Sequence, residues 1–193
     1  MSGSAEATAG EAVRTTDVTP EQLREAVGRF ATGVTVVTAL DLQAKPVGCT
    51  VSAFSSLSLR PPLVLVCIDT RRFMHGPLTS GPGFAVNVLA ADQRATALRF
   101  ATPAADKFAT TPHHPGRSGI PLLDGALAHV QCDLHAVHEG GDHAIIVGRV
   151  SDVRTTAGEP LLYAQGAFLD VDHRAWEHAA AAAPPEWLLS AAW

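Results

Sequence analysis

Two kinds of apolar pattern follow one another along the chain. Near the start, apolar side chains stand at helical spacing at four positions: Leu23, Ala26, Val27 and Phe30. Thr19 precedes them as an N-cap, Pro20 suits the first helical position, and Gln22 completes a capping box. The pattern predicts a helix that begins at Pro20, ends before Gly33 and buries one face.

Beyond Gly33 the apolar blocks are short and rich in Val, Ile and Thr, which favour strands. The predicted strands cover residues 34–40, 47–54, 63–68, 84–89, 128–137, 143–155, 161–163 and 167–171. The block 63–68 is apolar at every position, so we expect it to be buried on both faces. The Gly-Gly pair within residues 139–142 predicts a hairpin turn between the two longest strands.

Helical segments are few after the first one. Asp92 can cap a helix that runs to about Phe100, and residues 104–109 predict another short helix, whereas 110–121 is predicted to be an irregular loop. The later strands follow one another without intervening helices. This order indicates a mostly antiparallel barrel with peripheral helices rather than repeated βαβ units.

The composition fits one folded domain. The chain has 193 residues, of which 47% are hydrophobic and 17% charged. We expect a flexible lead over residues 1–18, a folded domain over 19–172, and an Ala- and Trp-containing tail over 173–193. The N-terminus lacks the basic and apolar segments of a secretory signal, and no apolar run reaches the roughly 20 residues that cross a membrane. We therefore expect a cytoplasmic protein without a membrane partner.

Charge and motif content exclude several classes of function. The net charge is −5 and basic residues cluster no further than Arg71-Arg72, which argues against a nucleic-acid surface. The cysteines Cys49, Cys67 and Cys132 form no C-x-x-C, and the pair His113-His114 has no acidic or cysteine partner at ligand spacing. We therefore expect no metal. The dinucleotide-binding glycine fingerprint, the P-loop and the hydrolase nucleophile elbow are also absent.

Residues 46–67 stand out because they are dense in small and hydroxylated side chains: PVGCTVSAFSSLSLRPPLVLVC. Small side chains leave the backbone of a strand pair open to a ligand. Main-chain N–H and C=O groups are strong hydrogen-bonding groups, and here they could hold a flat heteroaromatic ring. The segment therefore predicts a binding site for such a ring.

This segment resembles the flavin reductase family with the FMN-binding split-barrel fold, the small reductase components of two-component flavin monooxygenases. The resemblance covers roughly residues 20–171 and rests on the shared order and spacing of further motifs: FATGVTVVT at 30–38, FAVNVL at 84–89, DKF at 106–108, GDH at 141–143, VGRV at 147–150 and PLLY at 160–163. It implies an antiparallel split β-barrel. It also implies hydride transfer from NADH or NADPH to FMN or FAD.

The resemblance implies which residues hold the flavin. The residues expected to contact it are Pro46, Val47, Gly48, Cys49, Thr50, Ser52, Ala53, Cys67, Ile68, Asp69, Phe73, Arg99, Phe100 and Tyr163. Arg99 and Phe100 are assigned to the phosphate or adenylate end, where an arginine can pair with phosphate. Tyr163 is expected to close over the nicotinamide.

His143 is expected to position the nicotinamide, because the Gly-Asp-His motif of the family places a histidine on that side of the flavin. No side chain is expected to act as an essential general acid or base, and Asp142 is expected to shape the turn. The loop at 70–75 carries Arg71-Arg72 where many relatives have small hydroxylated residues. The preference between FMN and FAD therefore stays open, as does that between NADH and NADPH.

The resemblance further implies a homodimer, with contacts from the first helix and the tail, and an oxygenase partner that receives reduced flavin by diffusion. Two other functions remain open. The flavin could be a tightly bound prosthetic group that passes electrons to another acceptor. Alternatively, the protein could be a split barrel that binds flavin or haem without nicotinamide-dependent turnover.

Overall fold

The computed structural model describes residues 18–104, 106–170 and 172. Of the predicted lead over 1–18, only the last residue falls within this part, and the predicted tail over 173–193 lies outside it. No helix within the described residues is long and apolar enough to cross a membrane.

The described residues form strands, three α-helices and short 3₁₀ turns. The strands are β1 Thr32–Gly33, β2 Thr35–Leu40, β3 Pro46–Val51, β4 Phe54–Leu59, β5 Pro62–Asp69, β6 Gly83–Val88, β7 His113–Pro115, β8 Pro121–Leu123, β9 Ala128–Gly140, β10 His143–Thr155, β11 Leu162–Ala164 and β12 Ala167–Leu169. The helices are α1 Pro20–Gly28, α2 His75–Ser80 and α3 Arg94–Ala101, with 3₁₀ turns at Ala91–Gln93, Lys107–Thr110 and Arg117–Gly119.

The main sheet has seven strands in the order β3-β2-β6-β9-β10-β5-β4. Smaller sheets join β1, β11 and β12, and β7 with β8, and every strand pairing is antiparallel. The sheet curls, so that β3 at one edge and β5 near the other line the same cavity. This confirms the predicted mostly antiparallel β fold with peripheral helices.

The two larger clusters of apolar side chains lie inside the curled sheet and beneath α3. The first includes Val37, Val66, Phe84 and Ile146, each withdrawn from solvent. The second cluster is built from α3, β2, β8 and the loops beside them: Val34, Val36, Leu89, Ala97, Phe100, Leu123 and Leu161. The second cluster fixes α3 against the strands that carry the cavity.

Helix α1 begins at Pro20 as predicted but ends at Gly28, so Phe30 lies just beyond it, and the apolar face is not buried. The capping box of Thr19 and Gln22 is present. Leu23, Val27 and Phe30 nevertheless keep 56%, 58% and 77% of their surface exposed. The expectation of a buried face is therefore wrong for the described protomer, because no described element packs over this side of the helix.

Four further predictions are corrected. The strand predicted over 47–54 breaks at Ser52-Ala53, and the unpredicted β4 follows because its backbone pairs with β5. In the block 63–68 only every second side chain is fully buried. The side chains on the opposite face of β5 are half-buried. The predicted loop 110–121 contains β7, whose partner β8 begins at its last residue. The predicted helix at 104–109 is only a 3₁₀ turn over Lys107–Thr110.

The hairpin between β9 and β10 is confirmed. Gly140 pairs with His143, which leaves Gly141 and Asp142 as the turn. Gly141 has φ of 73°, a conformation that glycine adopts without strain. The turn sets the direction of the His143 side chain by starting β10 at that residue.

Candidate active site

A cavity of about 740 Å³ opens between the curled sheet and α3. Its wall comes from the ends of β3 and β5, the loop after β5, α3, and the hairpin of β11 and β12. The lining residues are Val34, Cys49, Thr50, Val51, Ser52, Ala53, Cys67, Ile68, Asp69, Arg72, Phe73, Arg94, Ala97, Leu98, Phe100, Ala101, Thr102, Pro103, Lys107, His143, Tyr163, Gly166, Ala167 and Phe168.

Most of the residues predicted from the sequence meet at this cavity. Those that line it are Cys49, Thr50, Ser52, Ala53, Cys67, Ile68, Asp69, Phe73, Phe100, His143 and Tyr163. They come from chain segments more than a hundred residues apart, and the curled sheet brings them together. The cavity is therefore the candidate active site.

Four predicted residues do not line the cavity. Pro46, Val47 and Gly48 begin β3 outside it, and Val47 borders a separate hollow beside Phe73. The guanidinium of Arg99 donates to the backbone oxygen of Thr110 at 3.2 Å and to Thr111 Oγ1 at 2.9 Å. Arg99 therefore supports the loop after α3, and the structure does not bring it to the lining.

The contact between β3 and α3 shapes one wall. A Cβ atom on Gly48 would lie 2.9 Å from Phe100 Cε1, so the helix can approach this closely only because Gly48 has no side chain. Thr50 Oγ1 donates to the backbone oxygen of Ala97 at 2.6 Å. The glycine and the threonine together hold α3 at a fixed height above the strand.

At one side of the opening, charged groups gather around His143. Asp142 Oδ1 lies 2.7 Å from His143 Nδ1, and this hydrogen bond lowers the pKa of the Asp142 carboxyl. Because a carboxylate only accepts, Nδ1 carries the proton and Nε2 is left as an acceptor when the ring is neutral. The side chain of His143 is thus held in one orientation at the edge of the cavity.

Asp69 is the neighbour of His143 across the sheet, since the two are paired between β5 and β10. Arg71 donates to both oxygens of Asp69, at 3.1 Å and 2.8 Å, and these hydrogen bonds hold the pKa of the Asp69 carboxyl well below its usual range. Arg71 is therefore occupied at the rim, whereas Arg72 lines the cavity.

The hairpin of β11 and β12 supplies the other side of the opening. The rings of Tyr163 and Phe168 meet edge to face with centroids 5.4 Å apart, and the guanidinium of Arg94 lies 5.0 Å from the Phe168 centroid. This aromatic surface with a cation beside it suits contact with a flat ring.

Among the lining residues that the sequence did not predict, three carry a charge or an aromatic ring and had been given no role: Arg94, Lys107 and Phe168. Lys107 lies within the DKF motif at 106–108, which was a signal of the resemblance but was given no role. Arg94 and Phe168 had no signal, because an arginine at the start of a helix and a phenylalanine in a short strand are common.

The lining fits a flat anionic ligand such as a flavin nucleotide. Three cationic side chains line the cavity, those of Arg72, Arg94 and Lys107, against the single carboxylate of Asp69, which Arg71 already neutralises. This local excess contrasts with the net charge of −5 for the whole chain. The volume of 740 Å³ also lies in the usual range for small-molecule sites.

Metal ligation is not a feature of the described part of the chain. Within residues 18–104, 106–170 and 172, no three His, Cys, Asp or Glu side chains come together as a metal site.

Comparison with known proteins identifies the family. Residues 27–172 match the family model described as flavin reductase like domain, so the chain belongs to this family. The NADH-dependent FAD reductase of Streptomyces globisporus is 45% identical over 153 residues, which are 76% of this chain and 83% of that protein. The reductase subunit HsaB of a flavin-dependent monooxygenase from Rhodococcus jostii is 39% identical over 168 residues, 86% of each chain.

The solved structures agree with this assignment. The NADH:FAD oxidoreductase of Streptomyces globisporus, solved in complex with NAD and FAD fragments, superimposes with a TM-score of 0.76 at 43% identity. The match covers 80% of this chain and 94% of that one. Some relatives are longer: the chain spans 48% of the length of a Rhizobium meliloti protein named "Probable flavin reductase", to which it is 42% identical over 149 residues.

Proposed function

We propose that this chain is an NAD(P)H-dependent flavin reductase, which transfers a hydride from NADH or NADPH to FMN or FAD. The observation that carries the proposal is the cavity, where strand backbone, an excess of cations and an oriented histidine meet in a member of the flavin reductase family. When bound, the flavin supplies the hydride acceptor, and the protein supplies binding and orientation.

Each wall of the cavity has a task in this proposal. The strand ends at Thr50–Ala53 and Cys67–Asp69 contact the flavin ring through backbone groups. Gly48 and Phe100 act indirectly, by holding α3 against β3. These groups fix the distance between the flavin and the nicotinamide. Such positioning lowers the barrier of a two-substrate reaction.

His143 binds the carboxamide or ribose of the nicotinamide in this proposal. Asp142 holds Nδ1, so Nε2 remains for the ligand. Tyr163 and Phe73, both partly exposed at the opening, cover the nicotinamide from solvent. No general base is assigned, because a hydride transfer moves no proton to or from a side chain.

Reduced flavin leaves by diffusion to an oxygenase component, as the names of relatives such as HsaB suggest. The proposal includes a homodimer, for which the exposed apolar face of α1 is the candidate contact surface. It also keeps the cytoplasmic location, where reduced nicotinamide is supplied.

The placement of the flavin is tested by Ser52→Trp, which would fill the cavity beside the strand backbone. We expect this variant to lose flavin binding in a fluorescence-quenching titration. Ser56→Trp is the matched control, because Ser56 is exposed on β4 and does not line the cavity. Retained flavin affinity in Ser52→Trp would contradict the placement.

Turnover is tested by steady-state oxidation of NADH and NADPH with FMN, FAD and riboflavin compared side by side. A rate above the control without enzyme supports the reductase. Its absence would favour a split barrel that binds flavin or haem without turnover. Protein that stays yellow through purification would indicate a prosthetic flavin, whereas colourless protein that needs added flavin treats it as a substrate.

A further inference from the structure

A strip of side chains runs along one side of the cavity opening. Tyr163 and Phe168 meet edge to face on the hairpin of β11 and β12, and the guanidinium of Arg94 lies over the Phe168 ring. Leu98 follows Arg94 by one turn of α3, so the two are neighbours on one face of that helix. All four residues line the cavity, and we call them the opening strip.

The opening strip leaves apolar surface in water. Leu98 is 53% exposed and Tyr163 is 37% exposed, whereas Ala97 and Phe100 on the same helix are buried. Arg94 adds an exposed positive charge beside them. Contiguous apolar surface that stays exposed beside a site commonly contacts another segment or molecule. The strip therefore fits an occupant that offers apolar side chains together with a negative charge.

The described part of the chain also ends beside the opening strip. Phe168 belongs to β12, the last strand of the described residues, and Asp172 is the last described residue. An extended chain advances about 3.4 Å per residue, so residues 173–186 can span roughly 50 Å. That reach is ample for the residues that follow to return to the strip from which the chain departs.

The sequence beyond Asp172 has the chemistry that the opening strip fits. Residues 186–193 read EWLLSAAW, so the carboxylate of Glu186 stands directly before a run of large apolar side chains. From residue 175 onward the chain has two glutamates and neither lysine nor arginine. The cavity lining, in contrast, has three cations against one carboxylate. The two surfaces are therefore complementary in charge and both are rich in apolar groups.

We propose that residues 186–193 dock on the opening strip of their own chain and cover the cavity. Trp187 packs against Leu98, and Glu186 pairs with Arg94. A tethered segment acts at a high effective concentration, so it occupies this surface in preference to a second copy or an oxygenase component. The covered opening slows the release of bound flavin. This last consequence, unlike the docking itself, rests on the proposed function.

The first test is the tryptophan fluorescence of the flavin-free full chain. The three tryptophans of the chain, Trp176, Trp187 and Trp193, all follow Asp172, so their emission reports on this segment alone. We expect the native emission to be blue-shifted against urea-unfolded protein, because docking removes water from the indole rings. Leu98→Asp places a charge in the apolar contact. It should return the emission most of the way to its position in the unfolded protein.

Leu59→Asp is the matched control, because Leu59 is 63% exposed on β4 and lies outside the cavity lining. It should leave the emission unchanged. An emission in the wild type that already equals that of unfolded protein would overturn the docking, and so would equal shifts in Leu98→Asp and Leu59→Asp. A blue shift that fades on dilution would also overturn it, because a second copy would then cover the strip.

The second test measures how fast bound FMN leaves, by stopped-flow flavin fluorescence. Trp187→Ala should speed release about 10-fold, since a large aromatic side chain loses its buried area. Trp176→Ala, outside the docking segment, should leave the rate unchanged. Combining Trp187→Ala with Leu98→Asp should add little to either variant alone, because both remove one contact.

Additive effects of Trp187→Ala and Leu98→Asp would mean that the two side chains act separately, and would overturn the docking while leaving the reductase proposal standing. A wild-type protein that binds no flavin would contradict the proposed function. The emission of the flavin-free protein would still decide the docking in that case.

Discussion

Helices α1 and α3 both carry apolar side chains at helical spacing, yet they end in opposite surroundings. Helix α1 has a complete capping box and buries none of its residues. Helix α3 has no side-chain cap, but Ala97 and Phe100 are buried beneath it. A short helix with good local signals can stand on the surface, whereas one with weak signals is held by packing. The packed helix is the one that forms the cavity.

The largest expected effect lies on the packed side. Phe100 is 1% exposed, so Phe100→Ala should lower the free energy of unfolding by about 3–5 kcal/mol in chemical denaturation. Leu42→Ala is the control, because Leu42 is 86% exposed and should change stability by less than about 0.5 kcal/mol. Similar losses in the two variants would mean that α3 is not anchored as described.

The loss of water beneath α3 should also lower the reactivity of the Cys49 thiol. With a pKa of about 12, its thiolate fraction at pH 8 is small, and alkylation by iodoacetamide should be about a thousandfold slower than for an ordinary thiol. Mass spectrometry of the Cys49 peptide over time measures this rate, and urea-unfolded protein is the control. Because the unfolded thiol ionises first, Cys49 should also make stability fall as pH rises from about 9 to 12. Fast alkylation of the native protein would contradict the burial.

For the exposed helix α1, Val27→Asp tests whether its apolar face joins two protomers. A charge in an apolar interface should raise the dimer dissociation constant about 10- to 100-fold in analytical ultracentrifugation. Glu25→Ala, on the exposed polar side of the helix, should leave association unchanged. A wild-type protein that sediments as a monomer at micromolar concentration would remove α1 from consideration as an interface.

The smallest expected effect concerns His143 and Asp142 at the opening of the cavity, away from both helices. His143→Gln should raise KM for NADH about tenfold, the loss of one hydrogen bond. Asp142→Asn should raise it less, since the ring stays in place but is less firmly oriented. His138→Gln is the control, because His138 is exposed on β9 outside the cavity lining. An unchanged KM in His143→Gln would reject the nicotinamide role.

Much of this molecule could be predicted from local sequence. The capping box of α1, the hairpin at Gly141 and the antiparallel class all followed from residues close together in the chain. His143 and residues 49–53 reached the cavity because motifs place them at strand ends. Such features depend on neighbouring residues, and local rules describe them well.

Other features depended on contacts that no local rule contains. Arg99 and Lys107 are both basic residues near the same loop, but only Lys107 faces the cavity, through a contact with Gly48 that spans 59 positions. The exposure of α1 likewise reflects the absence of a packing partner among the described residues.

By itself, the sequence determined most of the elements, the family and most of the segment that lines the site. The tertiary structure alone decided which cation enters the cavity and which helix face meets the core. The reason is physical: helix and strand signals act over a few residues, whereas burial depends on which distant surfaces the curled sheet brings together.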